Sequence, residues 1–158
     1  MIQLLLTLIF GTALTASAVE VNARFGVGLG SGMHFGSVKY LEAGVSGSVI
    51  GPWVYTLAVG GIFDPRPGYA STPLLAGTTG VRASYGPLMA STEWGLAAIG
   101  KTDLALSTYY QFTNLSQIAI TDQNGHFVGA FYRHLSNAGI KQPNLGRDML
   151  GAVIGVSF

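Results

Sequence analysis

Val19-Glu20-Val21-Asn22-Ala23-Arg24-Phe25-Gly26-Val27-Gly28-Leu29 alternates without a break. Its odd positions carry Val, Val, Ala, Phe, Val and Leu, and its even positions carry Glu, Asn, Arg, Gly and Gly. Successive side chains of a strand point to opposite faces, so this stretch has one apolar face and one polar or small face. A helix would scatter Glu20 and Arg24 differently among the apolar residues, and its glycines would weaken it. A strand apolar outside and polar inside is what a barrel wall needs between lipid and lumen.

The same pattern recurs along the chain. Trp53, Tyr55, Leu57 and Val59 alternate with Val54, Thr56, Ala58 and Gly60. Leu75, Val81, Ala83 and Tyr85 alternate with Thr78, Gly80, Arg82 and Ser84. Leu88, Ala90, Trp94 and Leu96 alternate with Met89, Ser91, Glu93 and Gly95, and Leu104, Leu106, Tyr110 and Phe112 with Ala105, Ser107, Tyr109 and Gln111. Arg24, Arg82 and Glu93 all take the polar parity, where a lumen can pair them. Facing lipid at mid-depth, each Arg would cost roughly 2–4 kcal/mol and Glu somewhat less. Turn signals separate the runs: Gly30-Ser31-Gly32, Gly51-Pro52, Asp64-Pro65-Arg66-Pro67-Gly68, Gly86-Pro87, Gly100 and Asn124-Gly125. The predicted architecture is an all-β, antiparallel transmembrane β-barrel of about eight strands. The strands are expected near 19–30, 33–48, 52–63, 73–85, 88–99, 103–113, 125–136 and 147–158. In the second, Lys39 and Glu42 have opposite parity, which calls for a bulge or for one of them at an interface. Glycines inside strands fit close backbone approaches in a narrow barrel.

Composition agrees. Only 9% of the 158 residues are charged, too few to cover a water-facing surface easily, and 23 are Gly. No window beyond the N-terminus approaches the roughly 18 apolar residues of a spanning helix. The net charge of +1 gives no reason to expect a nucleic-acid partner. Without Cys there is no disulfide, thiol nucleophile or Cys-ligated metal.

Residues 1–18 read as a signal peptide, and 19–158 as an outer-membrane barrel domain. Leu4 to Leu14 forms an apolar core, and Thr15-Ala16-Ser17-Ala18 offers small residues for cleavage after Ala18. Met1-Ile2-Gln3 departs from the pattern in having no Lys or Arg. At the other end Leu150, Ala152, Ile154, Val156 and Phe158 form an apolar face that finishes on a terminal Phe. That ending resembles the assembly signal of barrels in the Gram-negative outer membrane, where the chain is expected to reside.

Parity also brings a candidate site together. With both termini in the periplasm, the link from Asn137 to Gly146 is extracellular. Arg133 prefers the lumen, which turns Tyr132, His134 and Ser136 toward lipid at the outer end of strand seven. Counting back by twos from Phe158 reaches Asp148, on the outward face of the paired strand. A Ser hydroxyl is a poor nucleophile until a His takes its proton, and a carboxylate holds that imidazole in the needed tautomer. The competing explanation is a polar rim that meets lipid headgroups.

His134-Leu135-Ser136-Asn137-Ala138-Gly139-Ile140, followed by Pro143-Asn144-Leu145-Gly146, resembles the C-terminal motif of the PagL-type lipid A 3-O-deacylases. The match covers about the last 25 residues. The resemblance implies an eight-stranded outer-membrane serine esterase that removes the 3-position acyl chain of lipid A. Its His-x-Ser pair falls on His134 and Ser136, and its acidic residue, usually Glu, falls on Asp148. Leu145 stands where the family often has Pro. The oxyanion is then expected around Asn137, Ala138 and Gly139, with Asn144 orienting the loop; an Asn-Ala-Gly turn can aim N–H groups at developing charge, or be an ordinary loop start. No cofactor is expected. The partner implied is lipid A or lipopolysaccharide of the outer leaflet, with a homodimer left open.

Other residues carry less. His34 and His126 have no acidic or His neighbours at ligand spacing, so no metal site is expected. Gly26-Val27-Gly28-Leu29-Gly30 is not followed by a helix pattern and reads as strand. Trp53, Trp94, Tyr55, Tyr110 and Phe112 read as an interfacial girdle. Lys141 and Arg147 flank the outer loop, as phosphate contacts or solvated charges. The rival function is a structural or adhesive barrel whose long outer loops, Asp64 to Thr72 among them, carry the activity. A soluble lipid-binding barrel would need an apolar interior in place of Arg24, Arg82 and Glu93.

Overall fold

The computed structural model describes residues 19–29 and 38–158. The expected signal peptide, the turn expected at Gly30-Ser31-Gly32 and His34 lie outside the described residues. Eight strands follow one another: β1 (Val19–Leu29), β2 (Lys39–Ser48), β3 (Trp53–Phe63), β4 (Thr72–Tyr85), β5 (Leu88–Ile99), β6 (Tyr110–Thr121), β7 (His126–Ser136) and β8 (Arg147–Ser157). Each pairs antiparallel with the next, and β1 pairs with β8 to close the barrel. Closure leaves no strand edge unpaired, as lipid demands. Tight turns at 49–52, 86–87 and 122–125 share one end with Val19 and Phe158, and the loops at 64–71, 100–109 and 137–146 share the other.

The outside is the apolar parity predicted from sequence. Phe25, Leu57, Leu75, Trp94, Leu96 and Ile154 are exposed there, while Arg24, Glu42, Glu93 and Arg133 are buried inside. Lys39 and Glu42 need no bulge. The β1–β2 register is continuous, with Lys39 exposed at the outer end and Glu42 in the lumen.

The lumen is packed, with polar groups bonded across it. Glu42 accepts from Arg24 Nη1 at 2.8 Å, Arg133 Nη2 at 3.0 Å and the Tyr40 hydroxyl at 2.5 Å. Arg24 Nη2 also reaches Gln117 at 3.1 Å, Arg133 Nη1 reaches Thr113 at 3.0 Å, and Arg82 pairs with Glu20. Paired and hydrogen-bonded, these charges can stay buried. Toward the loop end the interior turns apolar, with Ile62, Leu74, Ile99, Leu106, Leu135 and Met149 buried together.

One predicted strand is misplaced. The sequence pattern puts the sixth at 103–113, but the chain pairs over Tyr110–Thr121. Residues 100–109 are instead a loop that folds over the barrel mouth. Asp103 Oδ1 accepts the Ala105 and Leu106 N–H groups at 2.8 and 2.9 Å, a local turn that competes with extended structure. Leu106, expected on the lipid face, belongs to that loop and is fully buried in the apolar cluster.

Candidate active site

β7 and β8 hold the site because their alternation sends neighbouring residues to opposite sides. Arg133 and Leu135 are buried inside, which turns Tyr132, His134 and Ser136 outward. Arg147 and Met149 are likewise buried inside, which turns Asp148 outward. The register sets His134 opposite Asp148. His134 Nδ1 lies 2.7 Å from Asp148 Oδ1, and the two side chains are 39% and 37% exposed. The Tyr132 hydroxyl donates to the same oxygen at 2.6 Å. With Nδ1 as the donor to Asp148, His134 keeps Nε2 free to accept a proton.

Ser136 shares this face two residues beyond His134. Among the described residues no hydrogen bond joins the two side chains. Ser136 Oγ instead accepts a long contact, 3.4 Å, from the Ala138 N–H. Such catalytic bonds commonly tighten only once substrate is bound.

The loop after β7 is a tight turn, with Ile140 N–H donating to Asn137 O at 3.1 Å. Its central residues, Ala138 and Gly139, have φ of 52° and 80°, as a type I′ turn requires. Glycine takes such a φ freely, whereas Ala138 pays a steric cost and so depends on its surroundings. Those surroundings are dense. The Asn137 side chain accepts Gly139 N–H at 2.9 Å and donates to Ser107 Oγ at 2.8 Å and Lys141 O at 2.7 Å. Asn144 Oδ1 accepts Asn137 N–H at 3.1 Å. Of the three N–H groups expected around the oxyanion, those of Asn137 and Gly139 are thus bonded within the loop. Ala138 N–H is the one left beside the Ser136 hydroxyl.

The other loops press on this hairpin. Gly146 N–H donates to Ala105 O at 3.1 Å. Arg147 is fully buried, donating to Asp64 at 2.7 Å and also to Asp103. Neither sequence reading of Arg147, a phosphate contact or a solvated charge, fits this burial, because two acidic residues of other loops enclose it; Lys141 stays exposed. Hydrogen-bonding partners Asp64, Asp103 and Ser107 were invisible in the sequence, since only loop folding brings them near Asn137 and Arg147. Tyr132 was visible through its shared parity with His134. His126, expected without an acidic neighbour, has Asp122 Oδ2 3.0 Å from its Nδ1 at the opposite end of the barrel. Among the described residues no three His, Asp or Glu side chains gather as a metal site.

A family model for lipid A 3-O-deacylase (PagL) matches residues 16–157, nearly the whole chain. The chain belongs to that family. Membership makes it an outer-membrane lipid A 3-O-deacylase by class. Its fold is similar to the crystal structure of the outer membrane enzyme PagL, at a TM-score of 0.67 and 19% identity, covering 87% of this chain and 98% of that one. The N-terminal β-barrel domain of Pseudomonas aeruginosa OprF gives 0.62 at 16% identity, covering 90% and 98%. Ail, the attachment invasion locus protein of Yersinia pestis, gives 0.60 at 7% identity, covering 91% and 100%. These likenesses establish the eight-stranded outer-membrane fold. A search of curated protein sequences finds no match. Neither the fold nor the comparisons support a homodimer.

Proposed function

We propose that the chain hydrolyses the 3-position ester of lipid A with Ser136 as nucleophile, His134 as general base and Asp148 as the orienting carboxylate. The observation that carries this reading is the His134–Asp148 hydrogen bond on the lipid-facing wall, in a chain of this family, with Ser136 next on the same face. Ser136 Oγ attacks the ester carbonyl while His134 Nε2 takes its proton. Asp148 holds the Nδ1 proton and offsets the imidazolium charge. The Ala138 N–H, beside Ser136, is the donor for the oxyanion, with Asn137, Gly139 and Asn144 holding the turn that aims it. Collapse of the tetrahedral species gives an acyl-Ser136, and His134 returns its proton to the departing sugar oxygen. Water, activated by the same His, then releases the fatty acid.

The outward setting suits the substrate. An ester near the headgroup of an outer-leaflet lipid meets the barrel wall from the side, at the rim where His134 and Ser136 lie. Export is part of the reading: residues 1–18 are removed after Ala18, so N-terminal sequencing of the membrane form should begin at Val19.

Mass spectrometry of lipid A decides the matter. Cells making the wild-type chain should lose the 3-position acyl chain, and cells making Ser136→Ala should retain it although the barrel folds. Equal deacylation by Ser136→Ala would refute the serine mechanism. An intact lipid A in both would favour a structural barrel.

A further inference from the structure

Tyr132 has no part in the mechanism above, yet its hydroxyl is committed to it. Tyr132 pairs with Leu150 and His134 with Asp148, so the tyrosine reaches diagonally along β8 to bond Asp148. A single oxygen, Asp148 Oδ1, thus takes the Tyr132 hydroxyl at 2.6 Å and sits 2.7 Å from His134 Nδ1. A tyrosine that merely anchors a barrel at the interface turns its hydroxyl to headgroups and water. This one is spent on a carboxylate.

We propose that Tyr132 is a positioning residue for the deacylation, holding the Asp148 carboxylate in the orientation that aligns His134. The inference rests on the Ser136–His134–Asp148 reading. Asp148 is more than a third exposed, so a carboxylate without Tyr132 is free to rotate toward rim water. The hydroxyl closes that option.

That effect can be read. Losing the hydroxyl frees the carboxylate, which lowers kcat. It leaves the lipid-binding surface in place, so KM changes little. The strands on either side place no charged residue directly opposite this pair. Asn114 and Ser116 of β6 lie opposite His134 and Tyr132, and Leu29 of β1 lies opposite Asp148. The neighbouring Arg133 and Arg147 point inward and are bound to Glu42 and to Asp64 and Asp103.

The test uses the whole barrel in detergent with lipid A in mixed micelles, measuring released fatty acid. Folding is checked by gel mobility before and after boiling. Tyr132→Phe should fold and lose roughly tenfold in kcat with KM nearly unchanged. In an Asp148→Asn background the further loss should be less than about twofold, because there is no carboxylate left to position. If the Phe variant is not recovered folded, Tyr132→Leu, the residue already carried at position 150 of this face, must show the same pattern. Wild-type kcat overturns the inference, as does an undiminished loss in the Asp148→Asn background. Ser136→Ala separates the two readings: if it is inactive while Tyr132→Phe is normal, only the role of Tyr132 falls. If Ser136→Ala is active, the serine mechanism falls and the inference with it.

Discussion

Glu42→Gln should be among the most damaging single changes in the barrel, although it alters no shape. The carboxylate is fully buried and takes hydrogens from two guanidiniums and a phenol, at 2.8, 3.0 and 2.5 Å. Glutamine has one neutral oxygen and two donors, so it can keep the oxygen that takes Arg24 and Arg133 only by turning its NH2 to the other position, beside the Tyr40 hydroxyl and 2.9 Å from Arg133. Two cations are then left buried without their counter-ion. Removing one partner of a buried pair costs about 3–5 kcal/mol. At about 1–3 kcal/mol per molar urea, that cost should lower the unfolding midpoint in lipid vesicles by about 1–5 M. The assay is the fraction that keeps its folded gel mobility across a urea series, with Lys39→Gln as control because Lys39 is exposed at the rim. A Glu42→Gln midpoint within error of wild type would refute the reasoning. It would mean that water reaches the centre and solvates both arginines.

Four further outcomes follow from the geometry. Asp148→Glu should lower deacylation by roughly 10–100-fold, because Oδ1 already sits 2.7 Å from His134 and an added methylene displaces it by about 1.5 Å; equal or higher activity in the fatty-acid assay would show a backbone that adjusts. Gly146→Ala should reduce kcat in a folded barrel, since its φ is +68° and the new methyl would lie 3.2 Å from the His134 ring; unchanged kcat would mean the ring has room to move. Burial pushes the Asp64 carboxyl up, but bonds from Arg66 and Arg147 outweigh it and hold it at about 2. A lowered folded value adds stability that is complete above the ordinary 3.8 and lost as pH falls through about 2, so pepsin should spare the 64–71 loop at about pH 4 and cut it near pH 2, and equal cutting at both would refute this. Finally, a lumen filled by Arg24, Glu42, Phe131 and Leu135 should pass no steady current in planar bilayers, and an ohmic conductance would contradict the packing.

Most strands were legible because each obeys a single rule, apolar outward and polar or small inward. β6 broke the rule and was missed in its second half. Asn114 and Ser116 stand on its outward face, and Leu115, fully buried, stands inside. Asn114 is satisfied there by donating to Glu93 O at 3.1 Å, and Ser116 meets Thr92 at 3.2 Å. These bonds across to β5 let polar side chains face outward, and period-two reading has no access to them. Meanwhile Leu104, Leu106, Tyr110 and Phe112 keep a false alternation across a loop. The site residues were placed by parity and by family resemblance. Their supports were not, because Asp64, Asp103, Ser107 and Arg147 meet only once three loops have folded onto one another.

The inward residues also explain how a site on a lipid-facing wall can be held still. A lipid surface offers no packed neighbour to fix an outward side chain. In β7 and β8 the fixing comes from the chain itself. His134 stands between Arg133, bound to Glu42 and Thr113, and Leu135, buried in the apolar plug. Asp148 stands between Arg147, bound to Asp64 and Asp103, and Met149, buried in the same plug. Each outward residue therefore has its backbone clamped on both sides by an anchored inward neighbour. The strand ladder then sets the distance between them, with His134 directly opposite Asp148. Only the side-chain torsions remain free, and the hydrogen bond from Tyr132 acts on the one carboxylate that water at the rim could draw away. The alternation that lets the barrel sit in lipid is thus the same feature that pre-organises a polar site on its outer wall.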